Sequence, residues 1–345
     1  MKIRDRRFAL WFAGLGVALL AVFSVRAYVA LYPAVRPGYL NVGPTVVDIK
    51  PHTQSAAIAE QLKRHGVIRD RLLFLLFTML RGSADRLKAG EYQFLPSMGL
   101  LDVIRALEDG KVLIHKVTIP EGATVWQIAT LLDDEGLVDS EAFLRLATDP
   151  SVASHYVPGA DTLEGFLFPD TYHFIKGIGV EDIIEAMVQR FFRAFTRGDE
   201  LRTRRLGMNL YQIVTLASII EKEAVLNREM PIIAGVFYNR LRRGMRLQAD
   251  PTVLYGRRHR GRITRKDLRA NHPYNTYVQN GLPPGPIASP GAAALKAALD
   301  PADVKYLYFV AKNDGTHKFS RTLREHLRAV RKYQVRSKMR KRRSI

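Results

Sequence analysis

Residues 46–68 and 117–138 carry one pattern twice, and this repetition constrains the fold more than any other feature of the chain. In the first copy Val46-Val47-Asp48-Ile49 reads as a short strand. Ile58, Ala59 and Leu62 follow at helical spacing, and Gly66 closes the helix. Seventy residues later Val117-Thr118-Ile119-Pro120 is the strand, and Ile128, Ala129, Leu132 and Gly136 take the places of Ile58, Ala59, Leu62 and Gly66. An apolar pair follows each glycine, Val67-Ile68 and Leu137-Val138. A repeated strand and amphipathic helix bury their apolar faces against each other, so two small αβ modules are expected. Between them 87–94 alternates like a strand and 99–108 reads as a short helix.

The N-terminus bears on compartment. Lys2, Arg4, Arg6 and Arg7 precede the uncharged run Phe8 to Val25, with Asp5 as the only acid. The run is close to the length that spans a bilayer, and no second one follows. Residues 8–28 are therefore expected to form a transmembrane anchor, with 1–7 in the cytoplasm and the rest of the chain, from a linker at 29–44 onward, outside. A cleaved signal peptide, with Val25 and Ala27 before the cut, is the alternative, and Arg6-Arg7-Phe8 resembles a twin-arginine signal. A buried core helix is a third reading. Anchor and signal agree on the outer face of the inner membrane.

The chain has no Cys, which excludes disulfides, thiolate metal sites and thiol catalysis. Its 53 Lys and Arg against 33 Asp and Glu leave a net charge of +20, which calls for an acidic partner. The Arg residues are spread along the chain, and no nucleic-acid motif accompanies them. Anionic lipid or a carboxylate-bearing polymer suits the charge, and no nucleic-acid partner is expected.

The chemistry falls in the C-terminal half. Asn209 to Asn227 reads as the strongest helix. On a helical wheel Leu210, Val214, Ala217, Ala224 and Val225 surround Glu221, while Glu223 falls on the opposite side, near Gln212. Burial would raise the pKa of a carboxyl on such a face and suit it to general-acid work. The alternative is a Glu satisfied by Arg240 or Arg242. Gln248 and Asp250, then Thr252 and Tyr255, lie in a second stretch, 244–256. The five prolines of 270–291 exclude a long helix there, and Tyr274, Tyr277, Asn271, Asn275 and Asn280 offer the aromatic faces and amides that suit sugars. Tyr306 to Val310 and His317 to Ser320 read as a hairpin around Asn313-Asp314-Gly315.

Five ordered motifs carry a resemblance: LEGFLFPDTY from Leu163, ASIIEKEA from Ala217, VFYNRLRRGMRLQADPTVLYG from Val236, YNTYVQNGLPPGPIASPG from Tyr274 and LYFVAKNDGTHKFSRT from Leu307. Together they resemble the YceG-like family of endolytic murein transglycosylases. The segment 119–129 also resembles the opening of a LysM module, a binder of N-acetylglucosamine polymers. Its alternative is a plain capped αβ unit. The resemblance implies an α+β chain: the anchor, two LysM-like modules at 45–115 and 116–160, and a mixed α+β catalytic domain at 161–335. A basic tail at 336–345 lies beyond the motifs, either solvated or against anionic lipid.

The activity implied is cleavage of nascent peptidoglycan strands between MurNAc and GlcNAc, leaving 1,6-anhydroMurNAc ends. Glu221 would be the catalytic acid and then base. Gln248, Asp250, Asn275 and Thr276 would be glycan contacts, with Glu164 and Asp170 as further candidates. Asp250 could also serve as a second, orienting carboxylate. No metal or other cofactor is expected. Peptidoglycan strands, the inner membrane, peptidoglycan synthases and divisome proteins would be the partners. The rival is an anchored peptidoglycan-binding scaffold without catalysis.

Overall fold

The computed structural model describes residues 16–17, 19–28, 31, 43–255 and 263–335. Residues 19–28 are helical, with Leu19, Leu20, Val22, Phe23 and Val25 all exposed. Among the described residues no helix is long and apolar enough to cross a membrane. Much of the expected anchor, the cytoplasmic 1–7 and the basic tail lie outside the described residues.

The chain is mixed α+β and divides into two compact units. The first holds β1 (Thr45–Ile49), α1 (Ser55–Arg64), α2 (Arg71–Leu80), β2 (Gly90–Phe94) and α3 (Leu100–Asp109). β1 and β2 pair antiparallel, Val47 opposite Tyr92 and Ile49 opposite Gly90. Their inward side chains pack with Ile58, Leu62, Phe74, Ile104 and Leu107 into one core. Asp70 caps α2 by accepting the Leu72 and Leu73 amides at 2.8 and 3.2 Å. Buried Glu91 pairs with His115 at 2.6 Å and Lys176 at 3.0 Å, and residues 175–177 belong to this unit.

The second unit, from Lys116 onward, holds most of the sheet of β3 (Ile114–Thr118) and, later in the chain, β4 (Thr171–Ile175), whose end residues Ile114, His115 and Ile175 count with the first unit. Between these strands run α4 (Val125–Asp134), α5 (Ser140–Ala147) and α6 (Pro150–Tyr156). Thr124 and Gln127 cap α4 reciprocally. The unit continues with α7 (Val180–Ala194), α8 (Arg197–Arg205), α9 (Leu210–Glu223), α10 (Met230–Arg242), α11 (Asp250–Leu254) and α12 (Ala292–Leu299). The β5 (Tyr308–Ala311) and β6 (His317–Ser320) hairpin and α13 (Leu323–Val330) complete it. Ile128 and Phe143 share one core with Phe166, Phe191, Ile220 and Phe237, so residues from the second repeat pack into the same interior as those of the C-terminal half. Glu229 holds the hairpin to the start of α10: it accepts the His317 amide at 3.1 Å and meets its imidazole at 2.7 Å.

Helix α9 is the hub. Asn209 caps it, with Gln212 answering. Eight consecutive residues, Ile213 to Ile220, are buried, because α10, α11 and α12 all pack against it. It ends at Glu223, short of the expected Asn227. A 3₁₀ turn at Asn227–Glu229 follows, and Pro231 then sits in the first turn of α10, where proline is favoured. Val225, expected on the apolar face with Glu221, therefore lies beyond the helix and is 70% exposed.

Candidate active site

Glu221 occupies the last turn of α9, half-buried between two glycines. Its Oε2 accepts the Gly291 amide at 3.0 Å. On the other side, a Cβ added to Gly122 would meet Glu221 Cγ at 3.5 Å and Lys222 Cδ at 3.3 Å. The loops that supply these glycines are tied together. The Gly122 amide donates to the Ser289 carbonyl and the Ser289 amide to the Ala123 carbonyl, both at 2.8 Å. Lys222 Nζ donates to the Gly122 carbonyl at 3.0 Å, and the Ile287 amide donates to Ser218 Oγ at 3.0 Å. The proline-rich segment is thereby a fixed wall beside α9.

Burial raises the Glu221 pKa, and the charge of Glu121 raises it further. The Gly291 amide and the Lys222 ammonium act the other way. The negative end of the α9 dipole also disfavours a carboxylate in this last turn. Such a carboxyl is biased toward its protonated form yet has partners for the ionised one, so it can give a proton and take one back. Arg240 and Arg242, the alternative partners, are engaged elsewhere. Arg240 donates to the carbonyls of Leu307 at 2.7 Å and Leu247 at 2.6 Å, and Arg242 to Asn239 at 2.7 Å.

Gly122 and Lys222, both neighbours of this acid, help to line an open groove of about 480 Å³ together with Glu121, Trp126, Gln127 and Thr130. Trp126 is 46% exposed. Its ring meets Tyr255 edge-on at 5.7 Å, and Tyr255 lies 4.7 Å from Tyr274, forming an aromatic row. Glu164 sits under this row, 1% exposed. Both its oxygens accept the Val125 amide at 3.2 Å, and Oε2 also accepts the Tyr255 hydroxyl at 3.2 Å. Burial pushes its pKa up to about 7 against those hydrogen bonds.

The other candidates divide by exposure. Asn275 and Thr276 are both 1% exposed. Asn275 Nδ2 donates to the Ala270 carbonyl at 2.8 Å and the Asp267 carbonyl at 3.1 Å, and Thr276 Oγ1 meets Thr252 Oγ1 at 2.8 Å. Their polar atoms are occupied in holding the long loop together. Asp170 accepts the Thr171 amide at 2.7 Å and Arg190 Nε at 2.6 Å, and these partners lower its pKa. Gln248 and Asp250 remain exposed. Gln248 holds a left-handed φ of 54°, a costly conformation for a non-glycine residue, and its amide donates to the Thr276 carbonyl at 3.1 Å.

Asp250 accepts the Tyr277 hydroxyl at 2.6 Å and faces Glu223. Burial and the Asp250 charge push Glu223 up to about 8. The side of α9 opposite Glu221 is thus a second acidic cluster at its C-terminal end. Wheel geometry placed Glu223 away from Glu221 but had no means of seeing what that side would meet. Nor did it suggest Glu121, Trp126 or Lys222 as parts of the site. A Pro-Glu-Gly just ahead of a capped helix is their only local signal.

The first unit has a groove of its own, about 710 Å³, formed by residues after β1 and before β2, including Lys50, His52, Gln54, Asp85 and Leu87.

The fold and the site define a mixed α+β protein built around one carboxyl group in an aromatic-edged cleft. The chain belongs to the YceG-like family, whose model matches residues 47–332. It is similar to a protein of Bacillus subtilis named endolytic murein transglycosylase, 36% identical over 304 residues, with 83% of this chain and 84% of that protein covered. A protein of the same name from Streptococcus pneumoniae strain D39 is 30% identical over 318 residues, which cover 82% of this chain and 57% of that longer protein. Among solved structures, the crystal structure of a YceG-like protein from Listeria monocytogenes is 36% identical. It covers 83% of this chain and 98% of its own, with a TM-score of 0.58.

Proposed function

We propose that this chain is an endolytic peptidoglycan lytic transglycosylase and that Glu221 is its acid and base. The family membership and the names of its relatives support the activity. The single observation that carries the residue is the position of the Glu221 carboxyl, half-buried against the Gly291 amide and packed beside Gly122, which lines the groove.

In this reading Oε2 stays on the Gly291 amide and Oε1 carries the proton. Glu221 gives it to the glycosidic oxygen as the bond from MurNAc C1 to GlcNAc O4 breaks. Positive charge develops at C1. The Glu221 carboxylate then takes the proton of the MurNAc C6 hydroxyl, and O6 closes on C1. The products are a 1,6-anhydroMurNAc end and a free GlcNAc 4-hydroxyl, and no water is consumed. Because the nucleophile is already part of the sugar, its effective concentration is high and a second carboxylate nucleophile is not required.

Several further assignments accompany this one. Trp126 offers an apolar face to a sugar ring, and exposed Gln248 and Asp250 remain candidate glycan contacts. The β1-α1-α2-β2 arrangement is read as a LysM-like module whose own groove holds a second stretch of glycan. The β3-α4-α5-α6-β4 segment is read as its counterpart, merged into the catalytic cleft. Residues 8–28 are read as an uncleaved anchor that keeps the catalytic unit at the outer face of the inner membrane, beside peptidoglycan synthases. The exposed apolar side chains of 19–28 support that reading.

The test is mass spectrometry of products from purified glycan strands, with wild type and Glu221→Gln compared. Anhydro-ended internal fragments from the wild type alone are expected. Reducing ends would instead mean hydrolysis, and full activity in E221Q would remove Glu221 from the mechanism.

A further inference from the structure

We infer that Glu121 is a working part of the cleft, a second carboxylate that faces Glu221 across Gly291 and acts on it by charge. This inference rests on the reading of Glu221 as the general acid.

The geometry is specific. Gly291 has an ordinary φ of −76°, yet a Cβ built there would lie 1.8 Å from Glu121 Oε1 and 2.2 Å from its Cδ. The Glu121 carboxyl therefore lies directly over the Cα of the residue whose amide binds Glu221 Oε2 at 3.0 Å. With standard backbone lengths, carboxyl oxygens of the two acids are no more than about 7 Å apart. Glycine at 291 serves to leave room for Glu121, since its φ suits any residue. The loop bearing Glu121 cannot easily swing away. Its neighbour Gly122 is tied through both its amide and its carbonyl, to Ser289 and Lys222.

The charged groups around Glu221 are few. Lys222 is on its own helix, with its ammonium against the Gly122 carbonyl, and Glu121 comes from the facing loop. The segment 286–291, packed on the other side, carries no titratable side chain. Glu223 and Asp250 face each other on the opposite side of α9. Glu121 is therefore the anion that opposes loss of the Glu221 proton. It is a positioning residue for the general-acid step: it holds the proton on Glu221, while Glu221 performs the transfer.

A pH profile separates this role from a structural one. Cleavage of purified glycan strands by the full chain is measured from pH 4.5 to 8.5 for wild type, Glu121→Gln, Glu121→Asp and Glu221→Gln. For Glu121→Gln the alkaline limb should move down by about one pH unit, since two charges at this separation interact by roughly that much. The rate should then fall about tenfold above the limb and remain near wild type well below it. Glu121→Asp, which keeps the charge, should restore most of the limb. Gly291→Ala, which displaces the Glu121 carboxyl, should move the limb the same way and add little to Glu121→Gln. It also gives an answer should Glu121→Gln fail to fold. An unmoved limb in Glu121→Gln, whether the rate is unchanged or uniformly lower, overturns the inference. If Glu221→Gln remains active, the assignment of Glu221 fails instead, and that outcome is separate from any behaviour of Glu121.

Discussion

The Tyr255 hydroxyl donates to Glu164 at 3.2 Å, and the same buried carboxyl accepts the amide of Val125, the residue before Trp126. One acid thus fixes both members of the Trp126–Tyr255 pair. Trp126 itself is 46% exposed, so its removal leaves little packing undone. Trp126→Ala should lower cleavage of dilute glycan strands by about tenfold, the scale of one aromatic contact, with its melting temperature close to wild type. Initial rates at low strand concentration, alongside a thermal melt, check this. Unchanged cleavage would remove Trp126 from the sugar path.

Two acids with raised pKa, fully buried Glu164 and half-buried Glu223, give the fold a pH dependence. Glu164 is pushed up to about 7 and Glu223 to about 8, from an ordinary value of 4.5. Both bind a proton more tightly folded than unfolded. Their stabilising effect is therefore complete below about pH 4.5 and is lost as pH rises through 7 and 8. For Glu164 the loss amounts to about 3 kcal/mol. Denaturant midpoints should fall from pH 4.5 to 8 in the wild type, and Glu164→Gln should flatten that slope. A wild-type midpoint that is constant or rises over this range would contradict the prediction.

Gly165 is a close approach that no side chain can share. Its φ is +86°, and a Cβ there would stand 2.5 Å from Pro286 Cβ and 2.9 Å from Val214 Cγ1. Gly165→Ala should cost about 3 kcal/mol or more, from backbone strain and overpacking together. Because Pro286 lies on the wall that leads to Gly291, cleavage should fall as well. Adding Val214→Ala should recover part of the stability by opening one side of the contact. Equilibrium unfolding of the three proteins decides the matter.

The parts legible in the sequence are those with local causes. Gly66 and Gly136 end their helices in left-handed conformations, and Asn313-Asp314-Gly315 turns the β5–β6 hairpin. Apolar spacing placed Ile58, Leu62, Ile128 and Leu132 in cores. Apolar spacing also singles out Glu221, but α9 is buried on every side from Ile213 to Ile220, so the wheel alone does not distinguish a cleft from an interior. What could not be read is long-range. Asn275 and Thr276 resembled sugar ligands because amides and hydroxyls suit sugars, but the same groups also satisfy buried carbonyls in a loop without regular structure. Glu121 and Glu221 stand one hundred residues apart, and long-range ties, the Ser289 bridge to Gly122 and Ala123 and the Lys222 ammonium on the Gly122 carbonyl, hold them in one place.

That bridge has a consequence for how the protein matures. The acid, its facing carboxylate and its amide donor come from positions 221, 121 and 291, so the loops between them must close before any of the three meets another. Contacts so distant in sequence form late and slowly. A chain still emerging from the ribosome would hold Glu221 well before Gly291 exists to receive it. In the proposed mechanism, assembly of the carboxyl site is thus a checkpoint on completion: cutting power would arise only once nearly the whole second unit has been made and collapsed, and a product truncated ahead of Gly291 would be inert.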